Sequence, residues 1–415
     1  MERRVEGLAP GDVAILRELA RRVAALAHEP IMAERREMWV RHNMLDPVRP
    51  MVLVFPEGSW RELLPISALR CEGEEARRIE WGLRQRIYYH EHIPDDTVIE
   101  AEWLVHRAIS VSGWGLEPEH EPSAQETGAW GFRPVIHDER DLDKLTFPRV
   151  HVDALETSRR LAQAHALFDG ILPVRLVGVQ HISFHLMSIY CQLRGLEQVM
   201  WDMYDQPAML HRAMRILEEG HHRLVDQYIA LGLLDLNNDG TYHSSGGVGY
   251  TRELPAPDYR SGRVRPIDMW SSAEAQEMAE VSPPMHREFI LEYEKRLLAR
   301  FGLNGYGCCE NLCDKLDDVF TIPRIRRISI SPFAPVAPCA ERLGADYIYS
   351  WKPHPAFLVG GFDEGALRQY LREALEATRG CVVEMILKDT HTCEGHPERF
   401  TRWTEIAKEL AAEYA

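Results

Sequence analysis

From residue 172 onward, short β-rich runs alternate with amphipathic helical stretches, and this alternation constrains the fold more than any other feature. The strand-like runs are PVRLVGV, LLDLNND, LNGYGCC, RIRRISIS, DYIYSW and CVVEMILKD, with helical segments such as 207–231 and 284–301 between them. In the latter, Met285, Phe289, Ile290, Tyr293, Leu297 and Leu298 fall on one stripe. Two earlier runs, MVLVF (51–55) and TVIEAEWLV (97–105), bring the expectation to about eight strands. Strands separated by helices pair in parallel through right-handed crossovers, so the pattern predicts an α/β fold of the (β/α)8 TIM-barrel type. An open doubly wound sheet is the alternative. No GxGxxG follows a strand, so a nucleotide-binding version lacks its phosphate turn.

Two regions stand outside this rhythm. Residues 1–45 read as an N-terminal helical extension, with DVAILRELARRVAALA (12–27) at helical spacing and Asp12 as its N-cap. The barrel then occupies 46–415, and the extension offers a surface for a homodimer. Residues 106–165, rich in Trp, Gly, Pro and charge, form a long excursion after the second strand with little regular structure expected. Its aromatics and their neighbour (Trp103, Trp114, Trp130, Phe132) read either as a pocket wall or as core.

The chain carries 64 acidic against 48 basic residues, a net charge of −16. Such a surface repels phosphate backbones and argues against nucleic acid as a partner. No signal-peptide core opens the chain and no apolar run approaches the ~20 residues of a membrane span. The expectation is a cytoplasmic protein with no membrane contact. Eight cysteines in 415 residues are too few for a disulfide scaffold, so their clustering in GYGCCENLC (305–313) points to metal or redox chemistry, or to packing.

In a barrel of parallel strands the active site lies where the strands end. The ends here deliver Glu57; Gln180, His181 and His185; Asn237, Asn238, Asp239, Tyr242 and His243; Cys308, Cys309 and Glu310; Ser331; Lys352 and His354; and Lys388, Asp389, His391 and Cys393. The opposite ends are bland, and this asymmetry favours an enzyme. Cys309 and Cys393, 84 residues apart, would share one rim. Two thiolates with an acid or imidazole suit Zn²⁺, with Glu310 and His391 as third and fourth ligands; small-hydrophobe packing is the other reading. Asn237 and Asn238 either bind substrate or pin a loop, since buried amides are costly unless bonded. SSGGVGY (244–250) reads as an anion cradle or a mobile lid. Trp270, Glu274 and Gln276 are candidates to reach inward, with a surface role the default for Glu274.

Four segments together resemble the uroporphyrinogen decarboxylase superfamily. EVSPPMHREFILEYEKRL (280–297) resembles its "SP…EF…PY" helix, and GLEQ (195–198) with MYDQPAMLHRAM (203–214) resembles its "LYDDPELVH" segment. The GCCE turn stands where methyl-transferring members carry His-x-Cys-Gly, and THTCEGHPERFTRW (390–403) where they carry Gly-Cys-Gly…Pro…Asn. The resemblance covers roughly 46–415 and implies a (β/α)8 barrel. True decarboxylases of this superfamily carry an Arg-rich signature after the first strand; here that place reads VFPEGSWRELL, with Glu57 in place of a basic cluster. The corrinoid-dependent methyltransferase branch fits better. Its zinc motif falls on Cys309 and Cys393, while its histidine falls on Gly307 and is missing.

The implied function is zinc-dependent transfer of a methyl group between a small methoxy, methylamine or thiol compound and a cobalamin carried by a partner corrinoid protein. His181, Asn238 and His243 are the expected catalytic residues, orienting the substrate. Glu57, Asn237, Trp270, Gln276 and Lys352 are the expected substrate contacts. Two alternatives stand beside it: a metal-independent decarboxylase or lyase using Lys352, Lys388 and Asp389, and a non-catalytic corrinoid-binding module.

Overall fold

The computed structural model describes residues 5–121, 131–243 and 246–415. Nine strands organise it: β1 (Met51–Val54), β2 (Trp103–His106), β3 (Val174–Val177), β4 (Ser183–Phe184), β5 (Trp270–Ala273), β6 (Leu303–Tyr306), β7 (Ile325–Ile330), β8 (Ile348–Trp351) and β9 (Val382–Leu387). Seven of them form one parallel sheet in the order β1-β9-β8-β7-β6-β5-β4. Between its two edges lie the parallel β2–β3 pair and a parallel bridge from Val179 to Leu234. Asp96 N–H donates to the Val52 carbonyl, and the Asn237 side chain bonds both Gln180 and Trp270, so the gap is spanned by isolated bonds. The architecture is a mixed α/β fold with a central parallel sheet, compatible with a barrel-like arrangement.

The near-continuous burial of β1, β5, β6, β8 and β9 is what a parallel sheet covered on both faces demands. Two of the expected strands are shorter than their apolar runs. Of TVIEAEWLV only the end pairs, because Asp95 and Asp96 turn the chain by accepting backbone N–H bonds from Val54, Thr97 and Val52. LLDLNND contributes only the bridge at Leu234. WSSA, which forms β5, gives no apolar signal in the sequence, since Ser271 and Ser272 are both buried. The excursion holds more regular structure than its composition suggests. Ala108–Val111 pairs with Val150–Asp153, and Glu119–Glu121 pairs with Gly131–Arg133, both antiparallel.

The amino-terminal helices α1 (Pro10–Ala27) and α2 (Pro30–Asn43) are tied into the molecule. Val13, Leu16, Leu19, Ala20 and Val23 of α1 are buried in a cluster with Ile79, Leu83, Leu167 and Phe168. Asp12 is not the N-cap, which falls on Ala9. Its carboxylate instead accepts from the backbone of Glu72 and Gly73, fixing the start of the Glu74–His92 helix. The end of α2 enters the sheet. Asn43 donates to the carbonyls of Val248 and Tyr250 and accepts from Arg327, while His42 Nε2 lies 3.2 Å from Glu384 Oε2.

Where it is described, SSGGVGY packs against the sheet; Ser244 and Ser245 lie outside the described residues, as does Trp130. Gly246–Val248 pairs with Tyr242–His243 and lies against Arg327, Ser350 and Glu384. A Cβ on Gly246 would stand 2.1 Å from Ser350 Oγ, and one on Gly247 2.4 Å from Arg327 Nη2. The glycines are there because backbone must touch side chains of the sheet.

Candidate active site

The ends of the strands, together with the Thr241–Tyr242 segment, line an open cavity of about 570 Å³. Phe55, Tyr242 and Ala273 supply apolar wall, with Phe55 and Tyr242 packed edge to face at 5.1 Å. Its polar lining includes His185 with Glu274, and Lys388 with Glu57 and Cys308. Volume and lining suit a small molecule held by a few placed polar groups.

His185 closes β4 and is hydrogen-bonded through Nδ1 to Glu274 Oε1 at the end of β5. Adjacent parallel strands bring the two side chains together. Glu274 is buried rather than on the surface, and its second oxygen accepts from Gln276 N–H. Burial alone would lower the His185 pKa, but the Glu274 carboxylate outweighs it and raises the imidazole above its ordinary value. The carboxylate thus favours the protonated ring, with Nε2 on the ring edge away from Glu274.

Lys388 follows β9 and lies 3.6 Å from Asp389 Oδ1. Burial pulls its pKa down, while Cys308, Asp389 and Glu57 together carry it above the ordinary lysine value, so it stays charged. Burial raises the Glu57 carboxyl. Glu57 accepts from Asp389 N–H, and both residues hold positive φ, at 44° and 58°. Two hydrogen-bonded non-glycine residues in the left-handed region, one of them on the cavity wall, mark strain kept by the surrounding bonds.

Of the expected catalytic residues, only His181 reaches the cavity; its Nδ1 lies 3.2 Å from the Tyr242 carbonyl. His243 is buried, stacked on Trp270 and bonded to the Asn237 carbonyl, and burial lowers its pKa to about 3. Asn238 pins the following loop through the Leu254 carbonyl at 2.8 Å. Among the expected substrate contacts, Glu57 lines the cavity. Asn237 and Trp270 are buried away from it, bonded to one another and, for the Trp270 indole, to the Gly249 carbonyl. Gln276 is exposed beyond Glu274. Lys352 is buried and donates to the Ser350 carbonyl and hydroxyl, and burial brings its pKa to about 7.

The four expected metal ligands do not converge. Both Glu310 oxygens are taken by the backbone N–H groups of Ala275 and Cys308. The Cys393 thiol is fully buried and donates to Glu62, which also accepts from the Cys393 and Gly395 backbone. Cys309 is exposed, and His391 is exposed with its carbonyl bonded to Arg61. Among the described residues no group of three or more His, Cys, Asp or Glu side chains is placed to hold a metal ion. These donors do not fit zinc, whose sites take four ligands, or three and a water. Glu62 escaped the sequence reading because nothing in WRELL ties it to a turn more than 300 residues away.

No protein-family model matches the chain, and no curated protein matches its sequence. Among solved structures, a methyltransferase from Methanosarcina mazei is similar, with a TM-score of 0.50 over 90% of this chain and 98% of that chain, at 12% identity. The chain shares the fold of that methyltransferase. No helix among the described residues is long and apolar enough to cross a membrane.

Proposed function

We propose that the chain is a methyl-transferring enzyme built on a closed (β/α)8 barrel of the uroporphyrinogen decarboxylase type, with 1–45 as an extension that braces it. The observation that carries this reading is the His185–Glu274 pair on the wall of a small-molecule cavity. The fold likeness to a methyltransferase along 90% of the chain agrees with it. Removing a methyl group from oxygen, nitrogen or sulfur breaks a C–X bond and leaves the electron pair on X. His185 protonates X through Nε2, and Glu274 stabilises the imidazolium beforehand. Lys388 binds an anionic part of the substrate, and Phe55 with Tyr242 packs against its carbon skeleton and excludes water. A corrinoid on a partner protein supplies the methyl-accepting centre; the cavity has room for a small substrate and leaves such a carrier at its mouth. No step is assigned to zinc, because the donor set does not fit it.

The test is methylation of cob(I)alamin, followed by its spectrum, with a panel of methoxy, methylamine and methylthio compounds. Turnover with one of them that is lost in H185N supports the reading; equal turnover by H185N overturns it. Lys388 on the cavity wall favours one other reading, a metal-independent decarboxylase acting on a small acid. Release of CO2 from a carboxylic-acid panel, without methyl transfer, would establish that activity instead.

A further inference from the structure

Cys308 and Cys309 place their sulfurs 3.6 Å apart, and both thiols are free. The Cys308 side chain faces the cavity and Cys309 is exposed beside it. The turn that carries them is held firmly. Cys308 N–H donates to Glu310, and the Cys308 carbonyl accepts from Ser329 Oγ. Gly307, at φ 94°, lets the chain leave β6 in this direction.

A disulfide is a poor use of this pair. Adjacent Cα atoms are about 3.8 Å apart, short of the roughly 4.4–6.8 Å that disulfides span. A four-coordinate metal is equally poorly served, since no third ligand joins the pair among the described residues. The geometry instead matches one soft atom bridging two sulfurs. With bonds of about 2.3 Å, as for zinc–thiolate, the 3.6 Å separation sets a sulfur–atom–sulfur angle of about 103°, close to tetrahedral.

We infer that Cys308 and Cys309 form a chelating site for a trivalent organoarsenical at the cavity mouth. This class of ligand needs only two thiols, because its carbon substituent completes the coordination. In the reaction the As=O bond breaks and two As–S bonds form. The oxygen leaves as water with both thiol protons, and no oxidation state changes. Cys309, the exposed thiol, is the first to reach the arsenic, and Cys308 beside it closes the chelate. The organic substituent then extends into the cavity, so this site goes beyond methyl transfer and stands independently of it.

Phenylarsine oxide is the probe, added to the whole protein with free thiols counted before and after. Loss of two thiols per arsenical, reversed by 2,3-dimercaptopropanol and not by a monothiol, is the expected result. C309S, at an exposed position, should bind at least about 10²-fold more weakly, because the second bond is intramolecular. C308S should behave alike, while C313S and C393S bind as wild type does. A wild type that loses no thiols overturns the assignment, and so does a C309S variant that binds as tightly as wild type.

Discussion

His185 and Glu274 are 89 residues apart in sequence and hydrogen-bonded in the structure, because β4 and β5 are neighbours in the parallel sheet. The pairing puts an imidazole whose proton is favoured by a carboxylate at a cavity wall, and the pH behaviour follows from it.

In the proposed role of acid, His185 must be protonated. The rate should hold at low pH and fall as pH rises through its raised pKa. In E274Q burial dominates, and the fall should move below the ordinary imidazole value of about 6.5. The same sign governs stability: the pair's contribution is present below about 6.5 and is lost as pH rises through the raised value. A pH–rate profile of E274Q that overlays wild type would remove His185 from the role.

Arg327 and Glu384 form a fully buried ion pair, with Nε to Oε1 at 2.9 Å. Burial would raise the Glu384 carboxyl, but Arg327, with His42 and Ser350, holds it well below the usual range. Its stabilisation is therefore present above about pH 4.3 and lost as pH falls toward that depressed value. R327M should cost about 3–5 kcal/mol in urea unfolding at pH 7, because it leaves a buried carboxylate unpaired. The double variant R327M/E384M should recover most of the loss.

A Cβ on Gly249 would stand 2.0 Å from the Asn237 carbonyl oxygen and 2.4 Å from His243 Nε2. G249A should destabilise by about 3 kcal/mol or more, because neither the backbone nor the stacked ring can give way. G360A, where a Cβ meets nothing within 4 Å, is the control, carrying only the strain of its φ of 66°. Equal urea midpoints for the two variants would contradict this packing.

Lys388 and Asn238 separate binding from bracing. K388M should raise KM for an anionic substrate about tenfold or more, the scale of one lost charge-assisted bond, with little change in stability. N238A should leave KM unchanged and lower the unfolding midpoint, because its amide holds the Leu254 carbonyl.

Glu62 accepts from the Cys393 thiol and from the backbone of Cys393 and Gly395. E62A should loosen the 390–395 turn and expose Cys393 to thiol reagents, read as faster labelling of that residue. Unchanged labelling would mean that the turn stands without it.

The amino-acid sequence by itself determined the alternation that builds the parallel sheet, because buried strands and amphipathic helices each impose their own period on the chain. It also marked the rim: Glu57, His181, His185, Cys308 and Lys388 all follow strand-like runs and all line the cavity. Which polar residues bind and which brace was decided only by the tertiary structure. Asn237, His243, Trp270, Lys352 and Glu310 look like site residues by type and position, yet each spends its polar atoms on backbone or neighbouring side chains. Cys309 and Cys393 illustrate the same limit. Strand order puts both near one rim, but Glu62 draws the Cys393 thiol into the interior and leaves Cys309 with its neighbour Cys308. A hydrogen-bond partner more than 300 residues away has no signature in local spacing. Burial is set by the packed fold, and it is burial that makes those partners obligatory.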